Sequence, residues 1–256
     1  MGELILCSHP IAAMPYYIDN ISLNVYSLEE LCYYIENHMY LIEADFMSEE
    51  LCLWIGQELD EKDLAQSLRS VLLGNGNLSD FTELILRSCG YCSEDTIRHI
   101  RSVLLDMQNK SVFECSKIRA DRYMESEKYV KAIHEYRKLL GMEEECKKNP
   151  VLEGNIRHNL GTACAELFLF DEAAANFLNA YRLNQNRESL AACMAACRLA
   201  KKTDILKKYK EEFHVSDEAF KSMSDQWNSV LKSEDILQKQ SEAEHLIKDA
   251  QGQLEE

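Results

Sequence analysis

The sequence predicts an all-α protein, and three observations carry that prediction. Gly and Pro are scarce, 9 and 3 of 256 residues, under half of the roughly 12% they usually make up. Sheets closed by tight turns need those residues at each reversal. Apolar residues recur at three- and four-residue spacing from Leu28 onward, the period of an amphipathic helix. Hydrophobic residues at 46% and charged residues at 28% are ordinary globular values, enough for one large core or two small ones.

The opening stretch is the exception to the helical pattern. Pro10 and Pro15 precede the β-favouring run Tyr16-Tyr17-Ile18, and Ile21-Ser22-Leu23-Asn24-Val25 alternates as a half-buried strand does. A short β-hairpin with Ile5-Leu6-Cys7 is the expected pairing. Ser27-Leu28-Glu29-Glu30 then reads as a capping box, followed by Leu31, Ile35, Met39 and Ile42 at helical spacing. Ser48 caps a helix from Glu49 to Leu59 that carries Trp54 and Ile55. Leu64, Leu68, Val71 and Leu72 mark another helix, stopped by Gly74-Asn75-Gly76-Asn77. Asp80 with Glu83 opens the next, and Ser93 opens one carrying Ile97, Ile100 and Leu104. Short helices with short loops predict a compact bundle over residues 1–110.

The second half contains a repeat. Arg119 to Leu140 reads RADRYMESEKYVKAIHEYRKLL, and Leu160 to Tyr181 reads LGTACAELFLFDEAAANFLNAY. Aligned on Ala132 and Ala173, Ala120 falls on Gly161, Tyr129 on Phe170 and Tyr136 on Phe177. Small residues at those places let two helices of a hairpin approach closely, and the aromatics fill the space between hairpins. This pattern resembles the tetratricopeptide repeat over roughly residues 112–213. The resemblance implies stacked helix hairpins, with the concave surface lined by the first helix of each. The two alanines are 41 residues apart, against a family period of about 34, so the link from Gly141 to Glu153 must absorb the excess. The family's first-helix Trp and closing Pro are absent, and a third unit over Ser189 to Phe213 follows the pattern only loosely.

Ser216-Asp217-Glu218 starts a further helix whose stripe of Phe220, Met223, Trp227, Val230 and Leu231 can cap the stack. From Ser233 the chain is mostly polar. The expected divisions are therefore an acidic helical domain at 1–110, repeats at 111–215, and a C-terminal helix with a tail at 216–256. Asn24 to Ile35 is also similar to uncharacterised two-part proteins of clostridia-like anaerobic bacteria, a resemblance that implies no activity.

Net charge is −16, and from Met1 to Glu61 there are twelve Asp and Glu with no Lys or Arg. Such a field repels nucleic acid and anionic lipid, and it fits a basic protein surface. The apolar start lacks a basic n-region and is too short for a span, so neither a secretory signal nor a membrane partner is expected. The ten cysteines are expected as packed thiols in a cytoplasmic protein.

Candidate sites are few. Cys89-Gly90-Tyr91-Cys92 has the spacing of a zinc or redox pair, with His99 the nearby imidazole. A second ligand pair is missing from the sequence, so the plainer reading is a helix–helix corner. Cys193 and Cys197, four apart on one helix face, read as packing. No nucleophile elbow, phosphate loop or H-E-x-x-H occurs, and the carboxylate pairs sit in first helical turns, where the macrodipole favours them. No cofactor and no enzymatic activity are expected. By the repeat resemblance, Lys117, Asp121, Met124, Asn155, His158, Asn159 and Thr162 line a peptide-binding groove. One family subclass clamps a C-terminal carboxylate, and Lys117 and Asn159 match that set, while Asp121, Ser189 and Cys193 depart from it. The sequence thus predicts a non-catalytic adaptor for a peptide or protein. The alternatives are a repeat-containing regulator with an N-terminal effector domain, which lacks the basic helix that DNA reading requires, and a cysteine-based metal or redox protein.

Overall fold

The computed structural model describes residues 9–74 and 76–231, and among these the chain is all-α apart from one two-stranded hairpin. Two compact units divide it, residues 1–142 and 143–256.

Unit 1 begins with β1 (Tyr16–Ile18) and β2 (Leu23–Val25), antiparallel with Tyr16 opposite Val25. The partner of β2 is the Tyr16-Tyr17-Ile18 run; Ile5-Leu6-Cys7 lies outside the described residues. α1 (Leu28–His38) follows, then single-turn 3-10 helices at Met39–Leu41 and Ala44–Phe46. α2 (Glu49–Gln57), α3 (Lys62–Leu73), α4 (Leu78–Cys89) and α5 (Glu94–Gln108) complete the bundle. Ser27, Ser48 and Ser93 accept from backbone N–H groups of α1, α2 and α5, as their positions predict. The Glu30 carboxylate, expected to close a box on Ser27, accepts instead from the Tyr26 N–H at 2.6 Å. The cap of α4 is Asn77, which accepts from Asp80 N–H at 3.0 Å; the Asp80 carboxylate accepts from the Asn77 amide at 2.7 Å and pairs with Arg101 at 2.9 Å. α1 packs on α4, and the core between the helices holds Leu28, Leu31, Tyr34, Ile35, Ile55, Leu68, Phe81 and Ile85, all fully buried. Each such side chain contributes about 1.5–3 kcal/mol relative to exposure.

The helices α6 (Val112–Glu125) and α7 (Tyr129–Gly141) form the first hairpin, and they belong to unit 1. The division at 142/143 leaves this hairpin with the N-terminal residues, to which its side chains are tied. Arg119 pairs with Glu43, Arg122 stacks on Tyr40 at 4.4 Å, and Lys131 donates to the Asp19 carbonyl.

Unit 2 holds a short α8 (Glu143–Lys148), then α9 (Pro150–Glu166), α10 (Phe170–Asn184), α11 (Arg187–Leu199), α12 (Thr203–Glu212) and α13 (Asp217–Leu231). The extra residues between the repeats become α8 and the long first helix α9. Consecutive helices from α9 to α12 pack pairwise. Gly161 faces Phe177 so closely that an added Cβ would lie 2.8 Å from the ring. α13 packs through Arg198 of α11, whose guanidinium lies 5.4 Å over the Trp227 ring and donates to Asn228 at 2.7 Å. Ser233 onward lies outside the described residues, as do the Val230 and Leu231 side chains.

Three hairpins share one turn, which recurs at the α12–α13 link, where His214 has φ 50° and the Val215 N–H bonds to the Lys210 carbonyl at 3.0 Å. Glu127, Phe168 and Lys201 each adopt a left-handed backbone, with φ of 57°, 60° and 58°. In each, the next residue's N–H bonds to the carbonyl five positions earlier, at 2.8 to 2.9 Å. The link α11–α12 is thus the same device as α6–α7 and α9–α10, although its sequence matches the repeat loosely.

Candidate functional site

The expected groove residues divide between the units. In unit 1, Lys117 pairs with Asp121 at 2.6 Å, one turn along α6. Asp121 also accepts from the Tyr136 hydroxyl at 2.7 Å, and Met124 is half-buried near the end of that helix. In unit 2, the His158 ring shares a hydrogen bond with Ser189 Oγ at 2.9 Å and lies 5.1 Å from the Phe177 ring. Asn155 accepts from Asn184 at 3.1 Å, Thr162 donates to the His158 carbonyl at 3.2 Å, and Asn159 is half-buried. Asp121, Asn155 and His158 thus bridge helices of their own unit, while Lys117 and Thr162 bond within their own helices.

Burial holds the His158 imidazole below its ordinary value of 6.5. The unfolded chain therefore takes up this proton first, so the contribution to stability is complete above about pH 6.5 and is lost as pH falls through the folded value. His158→Gln is expected to flatten the pH dependence of unit 2 unfolding between pH 7 and 5, measured by urea denaturation. An unchanged slope would show that another group dominates.

A second constellation lies in unit 1. A cavity of about 370 Å³ is lined by Tyr16, Tyr34, Phe46 and Tyr123, with Asp19, Glu43, Asp45 and Glu50 among its carboxylates. Lys131 engages Asp19 and Arg119 engages Glu43. Among the described residues no cation pairs with Asp45 or Glu50. Burial raises the Tyr34 phenol and pushes Tyr123 up to about 12, which keeps both phenols neutral. Asn20 donates to Tyr34 Oη at 2.7 Å and to the Leu41 carbonyl at 2.8 Å, fixing one wall.

The third constellation surrounds the C-x-x-C. Cys89 is the last residue of α4, and Gly90, at φ +67°, ends that helix in the left-handed conformation that favours glycine. Cys89 lies near Glu29 of α1 and His9, whereas Cys92 does not join them and His99 is exposed on α5. Glu29, 6% exposed, accepts from His9 Nδ1 at 2.9 Å and from the His9 backbone N–H at 3.2 Å. That carboxylate raises the His9 imidazole above its ordinary value. Hydrogen bonding with Cys32, one turn beyond Glu29, lowers the Cys89 thiol, while burial pushes Cys92 up to about 12. Cys193 and Cys197 are buried within unit 2, where Cys193 Sγ donates to the Ala174 carbonyl at 3.4 Å.

No helix among the described residues is long and apolar enough to cross a membrane. No protein-family model matches the chain, and neither does any curated protein or solved structure.

Proposed function

We propose that this chain is a non-catalytic interaction protein that holds a basic segment of a partner protein at the unit 1 cavity. One observation carries the reading: Asp45 and Glu50 stand at an aromatic-lined cavity of about 370 Å³ without a pairing cation among the described residues. A Lys or Arg side chain entering there gains charge pairing and a cation–π contact of about 0.5–2 kcal/mol. The acidic run from Met1 to Glu61 supports it further, since a one-signed field speeds encounter with a cationic partner and disfavours nucleic acid. The turn shared by three hairpins supports the tetratricopeptide-like reading, with the hairpins as scaffold.

Panning a random peptide display library on the full chain tests this. Enriched peptides are expected to carry Arg or Lys and to bind more weakly as salt rises. Asp45→Asn with Glu50→Gln should weaken that binding tenfold or more, about 1.4 kcal/mol. Lys117→Ala with Asn159→Ala should leave it unchanged. Peptides without basic residues, or equal binding to the charge-neutralised variant, would refute the cavity; loss in the second variant instead would move recognition to the repeat face.

A further inference from the structure

The basic-segment reading leaves unused the three donors gathered at the end of α4. His9, Glu29 and Cys89 each offer one ligand atom, and these atoms lie within 4.8 Å of one another. We propose that His9, Glu29 and Cys89 form a binding site for one divalent transition-metal ion of zinc type, with a coordination position left open to an external ligand.

Donor chemistry selects the ion. A thiolate and an imidazole are poor ligands for calcium or magnesium, which prefer all-oxygen shells. Imidazole, carboxylate and thiolate together suit zinc, and three protein ligands are the usual set of a zinc site with an open position. Zinc–donor bonds of about 2.0–2.3 Å place tetrahedral donors roughly 3.3–3.8 Å apart. The His9–Glu29 separation of 2.9 Å is a hydrogen-bond distance, so a small outward shift of the ring makes room. Cys89 Sγ lies within 4.8 Å of the other two donor atoms, so its adjustment to tetrahedral spacing is about 1 Å at most.

The fold holds two of these donors firmly. Glu29 stands in the first turn of α1 and Cys89 at the last residue of α4, and those helices pack on each other. A carboxylate as buried as Glu29 is costly unless it is paired, and the His9 imidazole is one of its partners, at 2.9 Å. Cys32 is not one of the three grouped donors; its thiol lies within hydrogen-bond reach of both Cys89 and the Ile85 carbonyl, the latter at 3.8 Å. A bound ion would fasten the segment around His9 to both helices, independently of the cavity invoked above.

The test uses the full chain, purified without added metal, with metal content read by mass spectrometry. Chelator-stripped protein is then titrated with Co²⁺ as an optical probe. One Co²⁺ per chain is expected, with a near-ultraviolet thiolate charge-transfer band that Zn²⁺ abolishes by displacement. Cys89→Ser should remove the band, and His9→Ala and Glu29→Gln should weaken binding about 100-fold or more, since loss of even an outer-shell partner reaches that size. The amide introduced by Glu29→Gln retains a carbonyl for the His9 N–H, which keeps the variant folded; circular dichroism verifies this. Cys32→Ser and Cys92→Ser should bind as the parent does. Absence of the band, its survival in His9→Ala with loss in Cys92→Ser, or a Cys32–Cys89 disulfide in the freshly isolated protein would each overturn the site.

Discussion

Phe177→Ala is expected to destabilise unit 2 by about 3–5 kcal/mol, the usual cost of removing a buried aromatic side chain. Phe177, on α10, is 5% exposed and packs against α9, with Gly161 close to its ring and His158 beside it. The same geometry predicts a reversal of sign at Gly161. In the parent, Gly161→Ala places a methyl 2.8 Å from the ring and is expected to cost about 1–3 kcal/mol through overpacking. In the Phe177→Ala background that obstacle is gone. The alanine then gains the helix propensity that glycine lacks, about 1 kcal/mol, and fills part of the hole. A double-mutant cycle in urea therefore yields strong coupling. Additive effects would mean that the two residues do not meet, and with them would go the alignment of Gly161 on Ala120.

The helices and most of their starts were legible because local chemistry decides them. A serine ahead of an apolar run has few other uses, so Ser27, Ser48 and Ser93 cap as read. Asn77 escaped notice because it closes a glycine-rich stretch and Asp80 looked the better cap. The turns at Glu127, Phe168 and Lys201 were invisible for a related reason: a left-handed backbone is announced in sequence by glycine or asparagine, and none of the three is either. Site residues were harder. The C-x-x-C pointed to Cys89, but its neighbours are brought from far along the chain. Glu29 had a complete local explanation as a first-turn carboxylate, and no spacing rule links His9 to Cys89. His99, near in sequence, faces outward on α5. The cavity was hidden likewise, since Tyr16 read as a strand residue, Tyr123 as a repeat position and Asp45 as part of a general acidic excess.

Tyr123→Ala is expected to destabilise unit 1 by about 3–5 kcal/mol, by the same loss of a buried aromatic, and the location of that effect tests the domain boundary. Were α6 and α7 part of an array beginning at residue 111, the substitution would loosen the hairpin and leave residues 16–46 undisturbed. Tyr123 instead lines the cavity with Tyr16, Tyr34 and Phe46, is 8% exposed, and lies on the helix whose Arg119 and Arg122 engage Glu43 and Tyr40. Its removal opens the cavity wall from the hairpin side. Hydrogen exchange should therefore rise across α1 and the two single-turn helices at 39–46 together with α6, because units that open cooperatively lose protection together. Increased exchange confined to α6 and α7 would return the boundary to 110/111. It would also separate the hairpin from the cavity that the basic segment is proposed to occupy.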